Sequence, residues 1–395
     1  MRMSTTIILD CDPGIDDALA IAFAAGHPEL EIAGITSVAG NVELAKTTAN
    51  ALAVASFVGV ASVPVTAGCA APLLRPALDA GHVHGESGLG GAVLPRPARE
   101  AADGHAIDFI IERTAAAPGE ITLVATGPLT NIALALRREP RLPLWVRDFV
   151  IMGGSAGRGN VNHAAEYNIW ADPEAASIVF GAGWTVRMIG LDVTLRARAT
   201  AAVQERMREF GALGAELLLP ALGQYADSHT TGAPAVHDVC AVVSVAAPSV
   251  FTYTPASVQV ETTGRLTSGM TVTDFSPSIS PNALVATDID VDRYWKLVLE
   301  TNESLAPRMG SARPAICEAQ IRQRNVLSPK KSDVRLAINS QSELALARIR
   351  AARVHFQMAS GTVATARAHE SGPRKNMRVP RGCSPGDPRA VRRDT

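Results

Sequence analysis

The chain has 395 residues, 47% of them hydrophobic, and a formal net charge of −1, apolar material enough for one large core or two smaller ones. It holds no run of 18 apolar residues, so no membrane-spanning helix is expected. Its five cysteines (11, 69, 240, 317 and 383) show neither a CxxC pair nor Cys/His metal spacing, which leaves reduced thiols in a cytoplasmic protein as the expectation.

The near-zero balance hides two unlike segments. Residues 1–305 carry 19 Lys and Arg against 32 Asp and Glu, whereas residues 306–395 carry 18 against 6. The leader MRMSTT is too short for a secretory signal. It runs into TTIIL (5–9), the first of several near-continuous Ile/Val-rich segments. EIAGITSV (31–38), ITLVAT (121–126), DFVIM (148–152) and TVRMIG (185–190) are the others. Such runs suit strands covered on both faces, hence a parallel sheet. Between them DDALAIAFAA, ELAKTTANALAVASFV, HAIDFIIERTAA, LTNIALALRR and PEAASIVFGA space their apolar residues as helices packed on a sheet do. The fold class that follows is α/β, an open and mostly parallel sheet flanked by helices with a Rossmann-like core.

Residues 10–17, DCDPGIDD, carry four carboxylates, with no Lys or Arg between Arg2 and Lys46. Pro13-Gly14 makes a turn after the first strand, and a helix is expected from about Ile15. Asp10 and Asp12 then share a parity, and Asp16 and Asp17 fall in the first helical turn, where the macrodipole favours anions. In such sheets ligands gather at the carboxyl ends of the strands, so the octet forms an acidic rim at the mouth of the sheet. Helix capping and turn formation account for one or two of these residues. Carboxylates this close repel or protonate unless a cation sits among them, and oxygen-only ligands point to Ca²⁺ or Mg²⁺.

Further polar groups follow the other strands: Gly40-Asn41, Thr126-Gly127 with Asn131, Met152-Gly153-Gly154 and AEYNIWADPEAA (165–176). In the last of these, an extended backbone would aim Glu166 and Asn168 the same way. His237-Asp238 stands before the Ala/Val-rich run VCAVVSVAA, again at an expected helix start. The Gly-rich GESGLGG (85–91) lacks the Lys-Ser/Thr of a phosphate cradle and reads as a loop. From 306 the chain is basic and low in aromatics, with one helix expected near 341–356 behind a capping box at Ser340-x-x-Glu343 and the rest irregular. It contains no folded nucleic-acid module and few stacking residues.

DCDPGIDDALAI resembles the N-terminal signature of the nucleoside hydrolases, the inosine–uridine-preferring nucleoside N-ribohydrolase family. ITSVAGN, AGHVHGESGLGG, TLVATGPLTNIALAL, VIMGGS, AEYNIWADPEAA and VHDVCA are similar to that family's blocks in order and spacing, and the likeness ends near RYWKLVLETNESL. The resemblance implies a nucleoside hydrolase domain over 1–305 and a tail over 306–395. It implies one Ca²⁺ held by Asp12, Asp17, Asp238 and the Thr126 main-chain oxygen, with ribose hydroxyls and a water completing the shell, and Asp10 ordering these ligands from behind. Asp12 becomes the base that activates the water, and His237 the group that assists the leaving nucleobase, with an orienting role as its alternative. Asp16, Asn41, Glu166 and Asn168 are implied on the ribose, Met152 and Asn160 on the 5′ side, and His84 near the base. The implied reaction is hydrolysis of the N-glycosidic bond of a ribonucleoside through an oxocarbenium-like transition state, in a homodimer or homotetramer. The segment before His237 departs from the family, with a single tyrosine, Tyr225, and a histidine at 229, so the preferred base stays open. Two rival readings remain at this point: a nucleoside-binding protein without turnover, and a phosphohydrolase of the haloacid dehalogenase class, which also begins with a strand ending in D-x-D.

Overall fold

The computed structural model describes residues 4–311, apart from 79, 98 and 224–231. The expected tail helix and the segment holding Tyr225 and His229 lie outside the described residues.

Nine strands form one sheet: β1 (Thr5–Cys11), β2 (Leu30–Ser37), β3 (Val65–Ala67), β4 (Ile121–Ala125), β5 (Asp148–Met152), β6 (Val186–Ile189), β7 (Phe251–Val260), β8 (Thr271–Asp274) and β9 (Ala283–Ile289). Their order is β3-β2-β1-β4-β5-β6-β9-β7-β8. The first seven in that order run parallel, and β7 and β8 add an antiparallel edge. All five strands read from the sequence are present. The four beyond that reading are short (β3, β8), half-exposed with an alternating burial pattern (β7), or joined to that edge (β9).

The helices are α1 (Ile15–Gly26), α2 (Leu44–Phe57), α3 (Gly81–His84), α4 (Ala106–Ala116), α5 (Thr130–Arg138), α6 (Leu142–Trp145), α7 (Tyr167–Ala171), α8 (Pro173–Phe180), α9 (Leu191–Thr194), α10 (Ala201–Arg208), α11 (Leu219–Gly223), α12 (Asp238–Ala246) and α13 (Val291–Ser311). The two-residue period of a strand sends Ile7 and Leu9 into one core and Ile8 into the other. The first core gathers α1, α12 and α13, and the second gathers α5 and α8. Helix α1 is buried on nearly every side, which explains why DDALAIAFAA is apolar all round rather than striped. The last helix carries on past residue 305, burying Leu305 and Met309. No described helix is long and apolar enough to cross a membrane.

From β1 the chain moves outward through β2 to β3, then returns to β4 on the other side of β1. This reversal opens a crevice beyond the carboxyl end of β1, the place where open α/β sheets take ligands. The acidic octet begins there.

Candidate active site

Register brings the walls of the crevice together. Asp10 lies opposite Thr36 on one neighbour and Ala125 on the other. Its Oδ1 accepts from the Thr36 hydroxyl at 2.6 Å and from Asn131 Nδ2 at 2.8 Å. Asp10 therefore sits behind the rim, and burial pushes its carboxyl up to about 6.

Asp12 follows the last residue of β1 and is fully buried. Its Oδ2 accepts from the Asn41 backbone N–H at 2.7 Å, while its Oδ1 has no hydrogen-bond partner. The turn leaves no spare volume around it: a Cβ on Gly40 would lie 2.0 Å from Asp12 Oδ2, and one on Gly127 2.7 Å from Oδ1. Glycine is required at both positions by close approach.

Asp16 and Asp17 open α1 as expected. Asp17 Oδ2 accepts from the Gly14 N–H and from Asn41 Nδ2, and its Oδ1 accepts from the Thr126 hydroxyl at 2.8 Å. Asp238 arrives from the far end of the chain as the first residue of α12. Beside it the His237 N–H donates to Asp16 Oδ2 at 3.2 Å. One ligand oxygen from each of Asp16, Asp17 and Asp238 lies within 4.8 Å of the others, a group able to hold a metal ion. Asp12 is not a member of this trio, in which Asp16 stands instead.

Burial, then the charge of Asp17, holds the Asp12 carboxyl well above the usual range. Burial, then Asp16, raises Asp17 to about 7, and burial, then Asp16 and Asp17, holds Asp238 well above the usual carboxylate range. Among the described residues no Lys or Arg pairs with any of these acids. The chemistry of the donor set, buried oxygens with Asp12 Oδ1 and Asp10 Oδ2 unpartnered, fits a hard divalent cation.

A cleft of about 800 Å³ opens over the trio, lined by Asp16, Asn41, His84, Thr126, Met152, Asn160, Glu166, Asn168, His237 and Asp238 among others. Every residue read from the sequence as a candidate for the substrate thus faces one space. Several have further tasks. Asn41 Nδ2 donates to the Asp12 carbonyl and to Asp17, so it braces the carboxylates. Asn168 Nδ2 donates to the carbonyls of Thr126 and Met152 at 2.8 and 3.1 Å. His84 Nδ1 accepts from the Ile15 N–H at 3.1 Å, capping α1. Its proton therefore sits on Nε2, and burial lowers its pKa. His237 Nδ1 bonds the Thr194 hydroxyl at 2.8 Å.

Extended backbone, on which Glu166 and Asn168 would point the same way, ends at Glu166. Glu166 caps α7 instead, its carboxylate accepting from Asn168 and Ile169 N–H and from Gly154 N–H, and Asn168 lies in the first helical turn. An acid followed by a short helix-forming stretch satisfies these amides better than a strand with no neighbour to pair with. Both side chains still line the cleft. The sequence reading missed Thr36 and Thr194 as partners of Asp10 and His237. A threonine inside the apolar run EIAGITSV was the available signal for the first.

The inosine-uridine preferring nucleoside hydrolase family matches residues 7–296. The chain is 46% identical over 311 residues to the inosine-uridine preferring nucleoside hydrolase of Leishmania major, covering 77% of this chain and 99% of that one. It is 41% identical over 306 residues to the pyrimidine-specific ribonucleoside hydrolase RihA of Salmonella paratyphi C, covering 75% and 98%. Among solved structures, the purine-preferring ribonucleoside hydrolase from Gardnerella vaginalis superimposes with a TM-score of 0.72 at 34% identity, over 76% of this chain and 99% of the other.

Proposed function

This chain belongs to the inosine-uridine preferring nucleoside hydrolase family and is a ribonucleoside hydrolase, and from that premise we propose that it is calcium-dependent, with Asp12 as the base that activates the attacking water. The observation that carries this reading is the trio of buried carboxylates within 4.8 Å, backed by Asp12 with one unpartnered oxygen and paired with no Lys or Arg among the described residues.

Asp12, Asp17, Asp238 and the Thr126 carbonyl, as the resemblance implies, would hold the ion, joined by Asp16, the third member of the trio. When bound, such an ion neutralises the acids and acts as a Lewis acid toward a sugar diol and a water. Asp12 is anchored through Oδ2, so Oδ1 is the oxygen that takes the proton from water. General-base help of this kind contributes about 10²–10⁴-fold. Asp16, Glu166 and Asn168 receive the ribose hydroxyls; with Asn168 Nδ2 committed to two carbonyls, its Oδ1 accepts. Asn41 acts on the ribose indirectly, through the carboxylates it braces. Met152 and Asn160 take the 5′ side. The carboxylates around the anomeric carbon stabilise its developing positive charge. His237, oriented by Thr194, gives a proton to the departing base, and His84 Nε2 faces the same cleft.

The phosphohydrolase reading requires the first Asp as nucleophile, and Asp10 is turned away, bonded to Thr36 and Asn131. The relatives' names differ in their preferred base. Three buried free cysteines among the described residues support a reducing, cytoplasmic setting, and a homodimer or homotetramer is the assembly we propose.

The test is a nucleoside panel (inosine, adenosine, guanosine, uridine, cytidine, thymidine) assayed with chelator, and again after Ca²⁺ is restored. Turnover is expected to vanish and return, and Asp12→Ala is expected to abolish it. Equal rates in chelator defeat the calcium reading; binding without release of free base supports a nucleoside-binding protein; near-normal rates in Asp12→Ala remove Asp12 as the base.

A further inference from the structure

We propose that Tyr167 is a positioning residue: its hydroxyl holds Asp12 in place through the peptide linking Gly40 to Asn41. The Tyr167 hydroxyl donates to the Gly40 carbonyl at 2.7 Å. The N–H of that same peptide belongs to Asn41 and donates to Asp12 Oδ2 at 2.7 Å. A peptide is planar, so fixing its carbonyl fixes the direction of its N–H. The result is one continuous path from phenol through amide to carboxylate, and hydrogen bonds in such chains polarise one another.

The path is held at both ends. Tyr167 is the first residue of α7, its own N–H donates to Asn160 Oδ1 at 2.9 Å, and Glu166 caps the helix that carries it. At the other end the Gly40–Asn41 peptide packs so tightly on Asp12 that Gly40 has no space for a Cβ. The same hydroxyl proton is shared at longer range with the Leu78 carbonyl at 3.3 Å. The aromatic ring is half-buried and lines the cleft, so it has a contact role separable from that of the hydroxyl.

This inference rests on Asp12 as the base, and the experiment separates the two. Tyr167→Phe keeps the ring and loses the hydroxyl; Tyr167→Leu loses both. In Tyr167→Phe, kcat is expected to fall about 10-fold, the usual cost of losing a group that orients a reactive ligand, with KM unchanged. Amide hydrogen exchange at Asn41 is expected to quicken. In Tyr167→Leu, KM is expected to rise as well. Wild-type kcat together with unchanged Asn41 exchange in Tyr167→Phe overturns the proposal. Faster exchange at wild-type kcat also overturns the positioning role, and Asp12→Ala then decides separately whether Asp12 is the base.

Discussion

Replacing Gly40 by alanine tests whether the site depends on the position of Asp12 rather than on its mere presence. The new Cβ would sit 2.0 Å from Asp12 Oδ2 and 2.8 Å from Pro128 Cδ. Ordinary contact begins near 3.4 Å, so the carboxylate must withdraw by about 1.4 Å or the turn must open by as much. Gly40 is not among the glycines with positive φ, so the substitution adds no backbone strain and the effect is one of volume. Overpacking of this kind costs about 1–3 kcal/mol, which a well-packed domain survives. Displacing a catalytic group by about 1 Å costs on the order of 10²-fold in rate. The expected outcome is a folded protein with a modestly lowered Tm and kcat down by about two orders of magnitude. The assay is steady-state release of free base, paired with thermal unfolding. A wild-type kcat in folded Gly40→Ala, with Asp12 still bonded to Asn41 N–H, refutes the reasoning.

Burial raises Glu166 to about 7. A carboxyl raised in this way adds its stability fully below its unfolded value of 4.5 and loses it as pH rises through about 7. In ion-free protein, Glu166→Gln is therefore expected to flatten the fall in stability between about pH 5 and 8, by an amount on the order of 3 kcal/mol at most; urea titrations at the two pH values measure it, and parallel pH profiles contradict it. For the C-terminus, a chain ending at residue 311 is expected to retain full turnover. One ending at 305 loses the buried Met309 and the bond from Arg308 to the Gly26 carbonyl, and is expected to be less stable by about 2–5 kcal/mol with kcat per folded molecule unchanged. A large kcat loss in the chain ending at 311 shows that the tail serves the site.

Local pattern was enough to read the five parallel strands, because a strand buried on both faces leaves an unbroken apolar run. The acidic octet was equally legible, since so many like charges without a neighbour of opposite sign demand an external partner. His237-Asp238 could be placed at a helix start, but not beside Asp16; that pairing spans 221 positions and comes only from α1 packing on α12. The bond from Asn131 to Asp10 and the hydroxyl of Tyr167 on Gly40 are likewise long-range, and spacing carries no trace of them. Glu166 shows a different limit. Its parity with Asn168 aligns the two only on an extended segment, and the backbone amides that need an acceptor make Glu166 a helix cap instead.

The acid trio draws two members from the first seventeen residues and the third from residue 238. A polypeptide emerging from the ribosome thus carries its anionic turn, unscreened, through most of its synthesis, until α12 docks and closes the longest loop in the pocket. The trio is complete only once residue 238 has been made, so an ion that needs all three acids would meet them after the parallel strands β1 to β6 have already left the ribosome.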